Sequence, residues 1–119
     1  MNLIKQLEKL AEKCKAERFG IEPTPDNIIQ RIKLEAIEET ASGIAAALPE
    51  LEKKARETGF NKSDEQKNKR SYAVRRAYAQ WLLDNHNDRR FSVNDWNLYP
   101  DIRDAYILAE ESALAEVPQ

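Results

Sequence analysis

Leu3, Leu7, Leu10 and Cys14 recur near the start of the chain at spacings of four, three and four, the period of one helix face. The positions between them are largely charged, so the spacing predicts a helix over about 2–18 with a narrow apolar seam, stopped by Gly20. Thr24-Pro25-Asp26 is a helix start: an N-cap hydroxyl, a proline where no backbone N–H is needed, and an acid in the first turn. From there to about residue 48 the apolar positions form two stripes, Ile28/Ile29/Ile32/Ala36 and Leu34/Ile37/Ala41/Ile44/Leu48. A helix apolar on two sides is expected at the centre of a bundle. Its polar strip is Arg31, Glu35, Glu38, Glu39 and Ser42, with an Arg31–Glu35 ion pair expected on it.

Pro49 is expected to restart the chain as a short helix over about 49–58, closed by Gly59. Ser63-Asp64-Glu65-Gln66 has the spacing of a capping box and opens a helix over about 63–85. Val74, Ala77, Tyr78, Trp81 and Leu82 make its inner side, with Tyr72, Arg76 and Leu83 roughly opposite. After a polar turn, Ser92 starts one short turn near 93–98, and Tyr99-Pro100-Asp101 starts a last helix over about 100–117. Ile102, Ala105, Tyr106, Ala109 and Ala113 are its predicted main face, with Ile107 and Leu114 as a second stripe. The pattern therefore predicts an all-α, single-domain helical bundle over 1–119, with four main helices and two short ones.

Composition sharpens this picture in three ways. Charged residues make up 34% of the chain and hydrophobic ones 41%, a balance that suits helices with one buried stripe and a wide polar surface. No apolar run is long enough to cross a bilayer, and the first residues lack the apolar stretch of a signal peptide. Cys14 is the one cysteine, so no intramolecular disulfide forms, and a reducing, cytoplasmic setting is expected.

The net charge of −2 conceals an asymmetry. Residues 62–91 carry a local +4 and residues 92–119 a local −5, while the first half nearly cancels. The basic block, with Lys69, Arg70, Arg75, Arg76, Arg89 and Arg90 interleaved with Tyr72, Tyr78 and Trp81, has the raw material for nucleic-acid contact. On a helix these cations do not fall on one stripe, and the acidic last helix stands ready to neutralise some of them.

Candidate chemistry is sparse. Glu35 and Glu38 are one turn apart, but a carboxylate metal bundle needs Glu-x-x-His on facing helices, and the one histidine, His86, lies in a turn. Residues 84–95 have the length of an EF-hand loop, with Asp84, Asp88, Ser92 and Asp95 at ligand positions. Arg89 stands where that loop needs glycine, His86 at the third position and the short Asp95 at the twelfth. Cys14 sits on an apolar seam, where a thiol is inert. No nucleophile elbow, phosphate-cradling glycine loop or Cys-x-x-Cys pair occurs among only three glycines. The expectation is a non-catalytic chain without metal or cofactor.

The stripes beyond one interior face supply more apolar surface than one core needs. Tyr72, Arg76 and Leu83 on the basic helix, with Ile107 and Leu114 on the last, are the expected partner-binding residues. Trp96-Asn97-Leu98-Tyr99-Pro100-Asp101-Ile102-Arg103-Asp104-Ala105 resembles the Trp-x-x-x-Tyr-Pro-acidic helix start of small phage proteins, terminase small subunits and anti-CRISPR proteins among them. It spans about a tenth of the chain, and the helix-turn-helix that terminase subunits carry upstream is replaced here by a polar turn. The resemblance implies a phage or mobile-element regulator and assigns no residue. The expected function is a protein-binding regulator or inhibitor of a larger complex, whose partner is another protein or a second copy. The alternative is a nucleic-acid-binding regulator acting through residues 62–90.

Overall fold

The structure, a computed structural model, describes residues 2–57 and 61–116. It consists of α1 (Leu3–Gly20), α2 (Ile28–Arg56), α3 (Lys62–Asn85) and α4 (Pro100–Glu116), with 3₁₀ turns at Pro25–Asn27 and Asp95–Asn97. No strand occurs among the described residues, and the fold is the all-α bundle that the apolar periods predict. Each helix packs on the next, α1 on α2, α2 on α3 and α3 on α4. At 1.5 Å per residue the 29-residue α2 spans about 43 Å, and it sets the long axis of a 54 × 26 × 23 Å molecule.

The seam of α1 is buried as its spacing requires, through Leu3, Leu7, Leu10 and Cys14. Asn2 Oδ1 accepts the Lys5 N–H at 2.8 Å and so caps the helix start. Gly20 is its last residue, and the chain leaves in an extended conformation without a left-handed glycine.

Pro49 does not restart the chain. It lies inside α2, which runs unbroken to Arg56, so the separate 49–58 helix is not formed; Gly59 lies outside the described residues. Proline removes one backbone hydrogen bond and crowds the preceding turn, at about 3 kcal/mol. The helix continues because its inner face keeps phase across the proline. Ile37, Ala41, Ile44, Leu48, Leu51 and Ala55 follow at spacings of four and three, all but half-buried Leu51 fully buried, while Pro49 itself faces out.

The start of α3 also departs from the capping-box reading. Asn61 is the cap, its Oδ1 accepting the Asp64 N–H at 2.9 Å, and Ser63 lies exposed in the first turn. Asparagine caps as well as serine, and it sits where the helix actually begins. At the far end of α3 an aromatic cluster joins the connection to α4. Trp81 contacts Phe91 and Trp96 at 5.0 and 5.6 Å between ring centroids, and Tyr78 meets Trp96 edge-on at 5.3 Å. The Tyr78 hydroxyl donates to the Val93 carbonyl at 2.9 Å. Buried edge-to-face rings of this kind lock the 86–99 segment to α3.

The inner face of α4 is not the predicted one. Ile102, Ala105, Ala109 and Ala113 are exposed, whereas Ile107 is buried and Tyr106 and Leu114 pack partly against the core. Three alanines bury little surface, and turning Ile107 and Leu114 inward buries more. The same rotation aims Glu110 and Glu111 at α3. Val117, the expected end of this helix, lies outside the described residues.

Candidate partner-binding surfaces

The five residues expected on a partner surface lie instead in or against the core. Tyr72 is 5% exposed and Ile107 4%, and Leu83 and Leu114 pack half-buried against the same cluster. Their apolar surface is taken up where α4 closes on α3. Arg76 is the polar centre of this seam. It donates to the Tyr72 hydroxyl at 3.2 Å and forms an ion pair with Glu110. Partial burial works against the Arg76 charge, but the hydrogen bonds and fields of Tyr72 and Glu110 outweigh it and hold the proton more firmly than usual. A cavity of about 160 Å³ remains beside Arg76, lined by Glu52, Arg56, Tyr72, Glu110 and Leu114.

The basic block is divided by the same packing. Lys69 pairs with Glu65 at 3.0 Å on its own helix, and Arg70 reaches Glu111 of α4 at 3.3 Å. Arg75, Arg89 and Arg90 are exposed. Tyr78 and Trp81, the aromatics a strand of bases would stack on, are committed to the core cluster.

The carboxylates of residues 84–95 turn to separate local partners. Asp84 accepts from Gln80 at 3.0 Å and from the Tyr106 hydroxyl at 2.8 Å. Asp88 accepts the Arg90 N–H at 2.9 Å, and Asp95 accepts the Ser92 N–H at 3.2 Å. His86 Nδ1 lies 2.9 Å from the Leu83 carbonyl and 3.2 Å from that of Leu82, so it carries the proton and donates. His86 and Cys14 line one cavity of about 230 Å³ with Lys13, Glu17 and Lys33, a juxtaposition that sequence spacing does not reveal. Burial pushes the Cys14 thiol up, and the nearby Glu17 adds to this, so it is a poor nucleophile at neutral pH.

Sequence reasoning buried the surface that the structure leaves open. The first stripe of α2 was expected in the centre of the bundle, yet Ile28, Ile29 and Ile32 are exposed, Ile29 by 80%. Ile28 and Ile32 line a groove of about 500 Å³ with Arg18, Pro23, Pro25 and Arg31. Arg31 makes no ion pair with Glu35 there; Arg18 instead reaches Glu38 at 2.9 Å and stacks 5.0 Å from the Phe19 ring. Across from Ile28 and Ile32 the groove is walled by Arg18 near the end of α1 and by the Pro23–Pro25 connection, and the stripe stays exposed. On the other side of the bundle Leu98, Tyr99 and Ile102 are exposed where α4 begins. The two sets share one end of the molecule. The Lys33 ammonium donates to the Asp88 carbonyl at 3.0 Å, and Tyr106 meets Asp84, so the starts of α2 and α4 both adjoin the end of α3.

Comparison of the chain with protein-family models, with curated proteins and with solved structures finds no match. No helix among the described residues is long and apolar enough to cross a membrane.

Proposed function

We propose that the chain is a non-catalytic protein-binding regulator or inhibitor, of the phage or mobile-element kind that residues 96–105 resemble, and that it engages a larger complex through the apolar end of the bundle. One observation carries this reading. Among the described residues eight large hydrophobic side chains are exposed, and seven of them lie at that end: Phe19, Ile28, Ile29, Ile32, Leu98, Tyr99 and Ile102. They lie on two sides of that end, and on one of them Ile28 and Ile32 line a groove, the kind of exposed apolar surface that marks a protein interface. Arg31 at the groove edge adds a cation that pairs with no carboxylate among the described residues, and arginine is a frequent anchor in interfaces.

The alternative, a nucleic-acid regulator using residues 62–90, has less support. Lys69, Arg70 and Arg76 are each paired with a glutamate, and two of those glutamates come from α4.

The test uses two double variants, Ile28→Asp/Ile32→Asp and Leu98→Asp/Ile102→Asp, in affinity capture from host lysate with mass spectrometry, beside sedimentation of the purified chain. A partner or self-association retained by the native chain and lost in either variant, with an unchanged melting temperature, is the expected outcome. Capture and sedimentation unaltered in both variants would sink the reading.

A further inference from the structure

We propose that α4 is a displaceable cover, and that the α3 surface beneath it is a docking site for an acidic amphipathic helix of a partner protein. The site is separate from the apolar end of the bundle and does not depend on it.

Helix α4 is attached differently from the others. Of its 17 residues only Ile107 is buried, against six of 24 in α3 and seven of 29 in α2. It rests on α3 and on the Asp95–Asn97 turn. Tyr106 and Leu114 pack partly against the core, the Tyr106 ring 6.4 Å from that of Trp96, and the rest of the attachment is polar: Arg76 with Glu110, Arg70 with Glu111, and Tyr106 with Asp84. These groups are largely half-exposed, so water and salt can replace each bond at little cost.

The face that α4 covers selects its occupant by charge. On that face Arg70 and Arg76 meet Glu111 and Glu110 of α4, while Asp84 at its far end accepts from the Tyr106 hydroxyl. The motif engaged is Ile107-x-x-Glu110-Glu111-x-x-Leu114, an apolar anchor, two acids one turn on, and a second apolar anchor one turn beyond them. The second anchor is undersized. Leu114 borders an open pocket of about 160 Å³ that it lines with Tyr72, Arg76, Arg56, Glu52 and Glu110. A partner helix with the same acids and an aromatic residue in place of Leu114 would fill that space, gaining contacts that α4 lacks. Such a helix is a better ligand for α3 than the one the chain supplies, and α4 sets the threshold for its binding by competing from within the same molecule.

The experiment uses the full-length chain, native and Ile107→Ala, with a fluorescently labelled synthetic peptide of residues 100–116 and a second peptide carrying Leu114→Phe. Hydrogen exchange reports whether α4 opens. In Ile107→Ala, exchange should rise over 100–116 while α1–α3 keep their protection. That variant should bind the peptide about tenfold more tightly than the native chain, because the internal competitor is weakened. The Leu114→Phe peptide should bind more tightly than its parent. Raising salt from about 50 to about 500 mM should weaken binding several-fold. Adding Arg70→Glu/Arg76→Glu should abolish it. Should Ile107→Ala fail to fold, Glu110→Lys/Glu111→Lys releases α4 by charge reversal alone and is read the same way. The proposal is overturned if exchange in α1–α3 rises together with α4 in both variants, since α4 is then an integral part of the core. Failure of the peptide to bind a chain whose α4 is released overturns it as well. So does an oligonucleotide binding that chain where the peptide does not.

Discussion

The three-helix part, α1 to α3, and the docked α4 are both helical and are held by different forces. In α1 to α3 the contacts are apolar and continuous. Leu7 and Leu82 are fully buried, and Leu34, Ile37, Ala41, Ile44 and Leu48 follow one another down the inner face of α2. Against this, α4 buries one isoleucine fully and Tyr106 and Leu114 in part, and adds three polar links to α3. Apolar burial contributes roughly 25 cal/mol per Å² and is little affected by salt, whereas partly exposed ion pairs contribute from nothing to about 1 kcal/mol each and are screened. The same helical secondary structure therefore has two stabilities in one chain, and sites of local opening are drawn from the weaker one.

The sharpest way to break the comparison is to place the same charge in both regions. Ile37 and Ile107 are nearly equally buried. Ile37→Asp puts an unpaired carboxylate among α1, α2 and α3, at several kcal/mol, a large share of the about 5–15 kcal/mol that domains possess. We expect this variant to be unfolded or insoluble by circular dichroism. Ile107→Asp introduces the same group under a helix that can swing into water. It should lose helical signal for about one helix and keep the cooperative melt of the rest. Unfolding of both variants to the same extent would erase the distinction.

How far the sequence discloses this division depends on what stands opposite each stripe. The seam of α1 and the Leu34-to-Leu48 stripe are readable because spacing alone identifies a face and a partner helix covers it. The Ile28/Ile29/Ile32 stripe has the same spacing, but α1 ends beside it, and no periodicity records where a neighbour stops. On α4 the competition is between a broad alanine face and a narrow one with Ile107 and Leu114. Arg70 and Arg76, some forty and thirty residues away, tip the balance by holding Glu111 and Glu110. Such pairing across helices is invisible to a local window. Pro49 misleads for the opposite reason: the local rule is sound, yet burial on both sides of the proline overrides its cost. Of the five expected partner residues Tyr72 and Ile107 are buried, Leu83 and Leu114 are half-buried, and Arg76 is paired with Glu110.

Within α4 the two glutamates offer a finer contrast. Glu110 is 19% exposed and pairs with Arg76, while Glu111 is 36% exposed and pairs with Arg70, itself the most exposed partner. Glu110→Gln should cost about 1 kcal/mol, because it removes the negative charge that the partly buried Arg76 guanidinium pairs with. Glu111→Gln should change stability by less than about 0.5 kcal/mol, a value typical of exposed pairs. Denaturant melts at low and high salt measure both. Equal costs would mean that the seam is uniformly solvated and that the Arg76 end has no special role.

The smallest effect near neutral pH comes from the Tyr106 link, and it grows in alkali. Burial raises the Tyr106 phenol above its ordinary value of about 10, and the hydrogen bond to Asp84 and the charge of that carboxylate raise it further. The folded state thus holds this proton more tightly than the unfolded one. Its contribution is fully present below about pH 10 and is lost as pH rises through the higher folded value. Ionisation would set a phenolate against the Asp84 carboxylate it now donates to, repelling α4 from α3. Tyr78 is also raised, by burial opposed by Arg75, and its bond to Val93 belongs to the core cluster. Local opening of α4, read by hydrogen exchange, should therefore increase above about pH 10 before or alongside global unfolding. Tyr106→Phe separates the two regions. It should cost no more than about 1 kcal/mol at neutral pH. It should also remove the alkaline dependence of α4 opening and leave that of the global melt, to which the raised Cys14 and Tyr78 contribute. An α4 that opens equally with pH in native and Tyr106→Phe chains would show that the phenol plays no part in holding it.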